Sequence, residues 1–186
     1  MEEKRFKLVS EYKPTGDQPT AIDSLVKSIE DNNKETTLLG VTGSGKTEVY
    51  MNTIENALQN GKTAILLVPE ISLTPQVFGL LTNRFGDNVA ILHSGLSAGE
   101  RFDEWKRIEQ GEAKVVVGAR SAIFAPVKNV GVIIVDEEHE SSYNSESNPR
   151  YKTHEIALFR AKANNCPLVL GSATPSVESY YRAKQN

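Results

Sequence analysis

The sequence has few of the residues that build disulfide frameworks and metal clusters. Of its 186 residues only Cys166 is a cysteine, so an intramolecular disulfide and a cysteine-rich zinc site are excluded. The three histidines, His93, His139 and His154, do not follow a metal-ligand spacing such as H-E-x-x-H. A single thiol is typical of a reducing compartment, and we expect a cytoplasmic protein.

Long hydrophobic segments and an excess of positive charge are also missing. No stretch approaches 18 apolar residues, and residues 1–9 are charged and have no apolar core of signal-peptide length, so we expect no membrane association. The 24 acidic residues outnumber the 21 basic ones and give a formal charge of -3. This balance argues against binding of nucleic acid by bulk positive charge, so any contact with a polyanion must be local.

The chain alternates short apolar runs with helical patterns. The runs are rich in Val, Ile and Leu, which is typical of strands buried on both faces. They cover residues 37–40, 63–68, 89–93, 114–118, 130–135 and 167–171. Apolar residues recur at helical spacing around Leu25, Ile54 and Trp105. The alternation predicts an α/β fold, with a mainly parallel sheet, helices on both faces, and ligands at the carboxyl ends of the strands.

A phosphate-binding motif follows the first of these runs. The stretch from Gly40 to Thr47 reads Gly-Val-Thr-Gly-Ser-Gly-Lys-Thr and fits G-x-x-x-x-G-K-[ST], between a predicted strand and a predicted helix. Backbone N–H groups of such a loop surround phosphate oxygens, Lys46 reaches the β and γ phosphates, and Thr47 binds magnesium. The alternative is a glycine-rich turn that binds nothing. The predicted residues for ATP and Mg²⁺ are Gly40, Thr42, Gly43, Ser44, Gly45, Lys46 and Thr47.

An acidic cluster follows the buried run 130–135. Asp136, Glu137 and Glu138 would lie at the edge of the sheet that carries the phosphate loop. A carboxylate at this place in P-loop enzymes holds Mg²⁺, and an adjacent one orients or deprotonates the attacking water. We therefore assign Asp136 to the metal and Glu137 to the water. The alternative is a solvated acidic loop.

These motifs resemble those of superfamily 2 helicases. Residues 136–139, D-E-E-H, resemble motif II, and residues 171–175, G-S-A-T-P, resemble motif III. Four further segments closely resemble the PriA family of primosomal replication-restart helicases. They are residues 41–50, 67–76, 92–97 and 118–126. The resemblance implies a RecA-like P-loop NTPase lobe of a 3′ to 5′ DNA helicase that acts in replication restart and primosome assembly. It also implies Mg-ATP hydrolysis coupled to single-stranded DNA.

The resemblance adds a role for His139 in the catalytic set. In a D-E-x-H motif this histidine links the catalytic acids to Ser172 and Thr174, although a lone histidine is also often a satisfied polar residue near the core. The catalytic residues implied in this way are Lys46, Asp136, Glu137 and His139.

The first forty residues differ in their resemblance. The segments from Phe6 to Ile22 and from Thr37 to Gly40 resemble the opening of the excision-repair subunit UvrB, so the chain is a candidate mosaic, natural or engineered. Both families place an adenine-reading glutamine ahead of the phosphate loop, which makes Gln18 the candidate here. The alternative for Gln18 is a polar residue at a helix N-terminus. We expect one domain over residues 1–186, with an adenine-side segment (1–36) and motor lobe 1 (37–186).

Two groups of residues resemble DNA-contacting segments of these helicases. One group follows the predicted strands, with Arg120 the most direct phosphate partner, and its alternative is turn and helix-cap chemistry. It comprises Thr74, Ser94, Gly95, Arg120 and Ser121. The other is the loop 141–151, which resembles an aromatic-rich loop that couples single-stranded DNA to ATP hydrolysis. It carries Tyr143, Arg150 and Tyr151, and its alternative is a plain connection.

The length suits one motor lobe, so several partners are expected. A second RecA-like domain would supply arginine fingers to the γ phosphate. Without it we expect nucleotide binding with little turnover and weak binding of single-stranded or forked DNA. Primosome proteins are further partners implied by the resemblance. The alternatives are a non-catalytic engineered or excised P-loop scaffold, and an unrelated P-loop ATPase, which only the negative net charge favours.

Overall fold

A six-stranded parallel sheet forms the centre of the fold. The structure, a computed structural model, describes residues 17–30, 35–39, 45–146 and 148–174. Its strands are β1 (Glu35–Leu39), β2 (Thr63–Leu67), β3 (Val89–Leu92), β4 (Val115–Gly118), β5 (Val130–Val135), β6 (Asn144–Ser145), β7 (Tyr151–Lys152) and β8 (Leu168–Ser172). The short β6 and β7 pair with each other antiparallel, and the other six form a sheet in the order β1-β8-β5-β2-β4-β3. All six predicted strands are present, with ends shifted by at most two residues.

Within the described ranges, five α-helices flank the sheet. They are α1 (Gln18–Glu30), α2 (Lys46–Gln59), α3 (Pro75–Phe85), α4 (Ala98–Gln110) and α5 (Thr153–Asn164). Local chemistry sets several of their ends: the Thr74 side chain caps α3, and Ser97 and Glu100 form a reciprocal capping box at the start of α4. The apolar patterns predicted α1, α2 and α4. They did not predict α5, because its buried face consists of Thr153, Ala157 and Ala161 and gives little apolar periodicity.

The sheet is covered on both faces, which confirms the predicted α/β class. Successive strand residues point to opposite faces, so Ala64 and Leu66 join one apolar cluster and Ile65 and Leu67 the other. The first cluster includes side chains of α1, α2 and α3, and the second includes side chains of α4 and α5. Among the described residues, no helix combines the length and the apolar character that a membrane crossing requires.

Candidate nucleotide-binding site

The carboxyl ends of the six parallel strands lie along one edge of the sheet. The chain enters the phosphate-loop motif after β1, reaches Asp136 after β5 and enters the G-S-A-T-P motif at the end of β8. Because β8 lies between β1 and β5, these three segments are neighbours. Four predicted nucleotide-binding residues lie outside the described part of the chain, namely Gly40, Thr42, Gly43 and Ser44.

Gly45 forms the N-cap of α2 and lies against Gln18. Its φ of 82° is in the left-handed region, which glycine adopts without a steric penalty. A Cβ on Gly45 would lie 1.7 Å from Nε2 of Gln18, so the glutamine side chain closely approaches the end of the phosphate loop. The structure thus brings Gln18, from α1, next to the start of the helix that carries Lys46 and Thr47. The adenine-reading role of Gln18 stays a prediction.

Lys46 and Glu137 meet across the site. Nζ of Lys46 lies 3.4 Å from Oε1 of Glu137, and both side chains are largely shielded from solvent. Glu137 has a φ of 46°, which is uncommon for a residue with a side chain. The backbone turns sharply at this position, immediately after Asp136. The predicted phosphate-binding cation and the predicted water-orienting carboxylate are therefore within contact distance of each other.

Asp136 is held at its backbone and at its carboxylate. Its amide donates to the carbonyl of Leu67 (2.8 Å), and its carbonyl accepts a hydrogen bond from the hydroxyl of Tyr143 (2.7 Å). Oδ1 accepts a hydrogen bond from the hydroxyl of Tyr50 (2.8 Å), which comes from α2 and is 1% exposed. Burial raises the pKa of the Asp136 carboxyl above its usual range and Glu137 adds to this, whereas Tyr50 and Lys46 act in the opposite direction.

The hydrogen bond from Tyr50 to Asp136 in the candidate site was not predicted from the sequence. Tyr50 follows Thr47 by three residues on α2, so both side chains lie on the same face of the helix. Gly171 on β8 leaves the space that Tyr50 occupies, since a Cβ there would lie 1.7 Å from the tyrosine hydroxyl oxygen. The phosphate-loop helix, the acid after β5 and the motif on β8 thus meet at one buried hydroxyl.

His139 connects the acidic cluster to the end of β8. Its Nδ1 lies 2.8 Å from Oγ of Ser172 and 3.7 Å from Oε2 of Glu137, and its Nε2 lies 3.4 Å from Oγ1 of Thr174. The Thr174 amide donates to the same Ser172 hydroxyl (3.0 Å). The structure therefore brings together His139, Glu137, Ser172 and Thr174, as the D-E-x-H resemblance implied.

The donors near Asp136 suit magnesium. Mg²⁺ prefers hard oxygen ligands and is usually held by one or two carboxylates, a hydroxyl, substrate phosphates and water. The Thr47 hydroxyl and the Asp136 carboxylate are oxygen donors of this kind, and Lys46 and Glu137 both act electrostatically on the Asp136 carboxyl. No group of three or more His, Cys, Asp or Glu side chains that would form a protein-only metal cluster occurs within the described ranges.

The DNA-contact candidates follow the other half of the sheet edge, after β2, β3 and β4. Thr74 Oγ1 accepts the amide of Val77 (3.4 Å), which is the helix-cap alternative for that hydroxyl. The Ser94 amide donates to Oε1 of Glu70 (2.9 Å). Nη1 of Arg120 donates to the carbonyls of Ser142 (3.2 Å) and Asn144 (3.0 Å), so part of this guanidinium holds the loop that follows motif II.

The loop 141–151 is partly different from its prediction. Tyr143 is 5% exposed and its carbonyl accepts from the Thr153 hydroxyl (2.6 Å), so its ring is in the core and offers no face to a base. Of the two aromatic residues in this loop, Tyr143 therefore cannot stack on a base, and its hydroxyl binds Asp136 inside the protein. Tyr151 lies edge-on to Phe124 with ring centroids 5.1 Å apart, and Arg150 is exposed.

Comparisons with known proteins identify the family and the fold of the chain. A family model described as the type III restriction enzyme, res subunit, matches residues 11–177. Replication restart protein PriA of Bacillus subtilis (strain 168) is 53% identical over 185 residues, 99% of this chain and 23% of that protein. PriA of Treponema pallidum (strain Nichols) is 50% identical over 170 residues, 91% of this chain and 26% of that protein. The chain thus spans about a quarter of the length of these curated relatives.

The alignment to the Bacillus protein also covers the segment 1–36. Since 185 of the 186 residues align, the part that resembles the opening of UvrB belongs to the same continuous similarity, and a mosaic is not needed to explain it.

Solved helicase structures have the same fold. RecG bound to a three-way DNA junction superimposes with a TM-score of 0.62 at 22% identity, over 94% of this chain and 23% of RecG. The UvsW helicase from bacteriophage T4 superimposes with a TM-score of 0.63 at 14% identity, over 96% of this chain and 61% of UvsW. At these identities the similarity concerns the fold alone, which is that of a RecA-like helicase domain.

Proposed function

The chain belongs to the family of the type III restriction enzyme res subunit, and from this premise we propose that it is the ATP-binding motor lobe of a 3′ to 5′ DNA helicase of the PriA type. Residues 37–186 form motor lobe 1, and residues 1–36 form its adenine-side segment. The observation that carries the proposal is the meeting of Lys46, Glu137 and Asp136 at the carboxyl edge of a parallel sheet. The lobe acts in the cytoplasm, in replication restart and primosome assembly.

Each residue of the site has its own role in the proposed ATP hydrolysis. Lys46 and the backbone N–H groups from Gly40 to Gly45 bind the phosphates, and Gln18 reads the adenine. Thr47 and Asp136 hold Mg²⁺, which when bound neutralises charge on the β and γ phosphates. Glu137 orients the attacking water and accepts its proton.

Two further sets of contacts keep these groups in place. Tyr50 donates a hydrogen bond to one carboxylate oxygen of Asp136 and so orients this proposed metal ligand. His139, with Ser172 and Thr174, fixes the side of Glu137 that faces away from Lys46. Such pre-positioning of charged groups is where much of enzymatic rate enhancement originates.

In the proposed function the lobe also binds DNA and acts together with a second domain. Single-stranded or forked DNA binds weakly to the lobe along the loops after β2, β3 and β4, where Ser94, Gly95, Arg120 and Ser121 lie. A second RecA-like domain supplies the arginine fingers, so the lobe alone binds nucleotide and turns it over slowly. Primosome proteins are the further partners.

Calorimetric titration with a magnesium-bound, non-hydrolysable ATP analogue tests the nucleotide site. We expect binding that weakens by about tenfold or more in Lys46→Ala, because a charge-assisted contact to phosphate is lost. Lys128→Ala is the matched control, since that exposed lysine precedes β5 at the opposite edge of the sheet. Equal affinity in wild type and Lys46→Ala would contradict the proposal.

Turnover separates the motor lobe from a non-catalytic P-loop scaffold. We expect slow ATP hydrolysis that increases with single-stranded DNA and disappears in Glu137→Gln, which keeps the shape of the side chain and removes its basic carboxylate. Hydrolysis at the buffer rate in the wild type, with nucleotide binding intact, would favour the scaffold instead.

A further inference from the structure

A second cavity lies at the same edge of the sheet, next to the loops after β3 and β4. Its volume is about 490 Å³, within the roughly 300–1,000 Å³ that is typical of ligand pockets. The wall away from the sheet comes from α4 and the hairpin β6–β7. The lining residues that matter here are Ser94, Arg101, Trp105, Arg120, Phe124 and Tyr151. None of the nucleotide-site side chains is among them.

Three aromatic rings line this cavity. Trp105 is 37% exposed and Phe124 is 47% exposed, although large apolar rings are usually buried more completely. Tyr151 packs edge-on against Phe124, which fixes the orientation of both rings. The cavity therefore presents rigid aromatic surface to solvent at a place where ligands of parallel sheets bind.

Arginine side chains and hydroxyls also line the cavity. Arg101 and Arg120 both line the cavity, and the two backbone carbonyls that hold Nη1 of Arg120 keep its guanidinium in place. Among the described lining residues Glu70 is the only carboxylate, and it accepts the Ser94 amide. Hydrogen bonds from Ser94 lower the pKa of Glu70, so it stays ionised and the cavity has an excess of one positive charge. In a chain of net charge -3 this is a local attraction for phosphate.

We propose that this cavity accepts one unstacked base of single-stranded DNA, with the base against Trp105 and the adjoining phosphate between Arg101 and Arg120. The proposal rests on the DNA binding proposed above and adds Arg101, Trp105 and Phe124 to it. Aromatic faces bind bases without sequence preference, and a guanidinium binds phosphate in a planar, bidentate way. Ser94 and Ser121 are placed to donate to the same sugar-phosphate segment.

Intrinsic fluorescence tests this contact directly, because Trp105 is the only tryptophan in the sequence. The probes are a thymidine oligomer and an abasic oligomer of equal length, which has the same phosphates and no bases. At low salt we expect the thymidine oligomer to quench the tryptophan emission and to bind more tightly than the abasic one. Equal quenching by both oligomers would overturn the proposal, since the phosphates alone would then explain the signal.

Variants give the second test, read by fluorescence anisotropy of a labelled thymidine oligomer. We expect Trp105→Leu to weaken binding by about 5- to 100-fold, the range for loss of one base stack, and to abolish the preference for bases over abasic sites. Phe159→Leu is the control, because Phe159 is an exposed aromatic residue on α5 outside the cavity. Both side chains are solvent-accessible, so both variants should fold, and circular dichroism verifies this.

The possible failures are distinguishable. If Trp105→Leu binds the oligomer as the wild type does, the base site is refuted and the proposed DNA binding stands. If neither oligomer binds the wild type, the base site fails together with the DNA-binding part of the proposed function. The Lys46-dependent nucleotide binding is measured separately and is affected by neither result.

Discussion

Asp136 lies between two tyrosines that approach it from different parts of the chain. The hydroxyl of Tyr50 binds its carboxylate, and the hydroxyl of Tyr143 binds its backbone carbonyl. Both rings are buried, so neither hydroxyl can exchange its partner for water without a local opening. The orientation of the proposed metal ligand therefore depends on residues that touch neither nucleotide nor metal.

Tyr50→Phe should weaken the magnesium-dependent part of nucleotide binding. Removal of the hydroxyl leaves Oδ1 of Asp136 without its donor and frees the carboxylate to rotate, so we expect the affinity gained on adding Mg²⁺ to fall by about fivefold, the equivalent of one hydrogen bond of about 1 kcal/mol. Titrations with and without magnesium measure this gain. Tyr151→Phe is the control, because Tyr151 lines the separate cavity beside α4, and an unchanged gain in Tyr50→Phe would contradict the positioning role.

Gly171→Ala should destabilise the fold. The new methyl group would lie 1.7 Å from the Tyr50 hydroxyl oxygen and 2.8 Å from Cζ, in a buried strand that cannot move away freely. We expect a loss of about 1–3 kcal/mol in urea unfolding, which is typical of overpacking. In the Tyr50→Phe background the loss should be smaller, because the worst clash is removed. Additive effects of the two changes would argue against their direct contact.

At the scale of elements, α2 and α3 are joined by a buried ion cluster. Arg84 on α3 donates through Nε and Nη2 to Glu55, which is 2% exposed, and through Nη1 to Glu48 (3.0 Å). Asn52 donates to the same Glu48 oxygen (2.8 Å). Since α2 begins at Lys46 and α3 begins after Thr74, this cluster fixes the phosphate-side helix relative to a helix that starts at a DNA-contact candidate.

Arg84→Met should be strongly destabilising, by about 3–5 kcal/mol, because it leaves the Glu55 charge buried without a partner. The double change Arg84→Met with Glu55→Leu should recover most of that loss, since an apolar pair can replace a buried ion pair. Urea unfolding measures both. Lys152→Met breaks an exposed pair with Glu155 and is the control, with an expected change below about 1 kcal/mol. A single change as mild as the control would show that the cluster contributes little.

Burial explains why some elements could be predicted from the sequence and others could not. Strands β2, β3, β4, β5 and β8 consist mostly of buried residues and therefore appear as continuous apolar runs, which a local pattern detects. The edge strand β1 is only partly buried in its described side chains. In α4 the spacing of Phe102, Trp105 and Ile108 resembles a core-facing stripe, but only Ile108 is buried. Periodicity locates a helix face and does not reveal whether another element covers it.

The candidate site was predictable wherever the relevant residues are close together in sequence. The D-E-x-H motif and the end of the phosphate loop are local patterns with a known chemical logic. The bond from Tyr50 to Asp136 joins residues 86 positions apart, and no spacing rule signals it. Burial of Tyr143 was missed for the same reason, because its partners, Asp136 and Thr153, became neighbours only through packing.

At the scale of the whole molecule, the two halves of the sheet edge have separate proposed tasks. The β1, β8 and β5 ends carry the nucleotide-site residues, and the β2, β4 and β3 ends carry the residues proposed to contact DNA. A hydrogen bond from the Asp136 amide to the carbonyl of Leu67 on β2 joins the two halves. Both halves therefore belong to one continuous hydrogen-bonded sheet.

Cys166 offers a measure of global stability. It is 6% exposed, and burial raises its thiol pKa to about 11, so very little thiolate is present at pH 8. We expect labelling by a disulfide reagent to be slower than in the urea-unfolded chain by a factor of about 100 or more, because an unfolded thiol has a pKa near 8.5. Native labelling should accelerate with urea in parallel with the loss of circular dichroism. Fast labelling without urea would mean that the segment between α5 and β8 opens locally.

The position of β8 has a mechanical consequence. It is hydrogen-bonded to β1 on one side and to β5 on the other. The strand before the proposed phosphate loop and the strand before Asp136 are therefore both fixed to β8. Spreading these two sides apart would require breaking a ladder of backbone hydrogen bonds along its whole length. Any closure around a nucleotide bound at the proposed site would therefore have to come from a body outside this sheet, while the sheet keeps its shape.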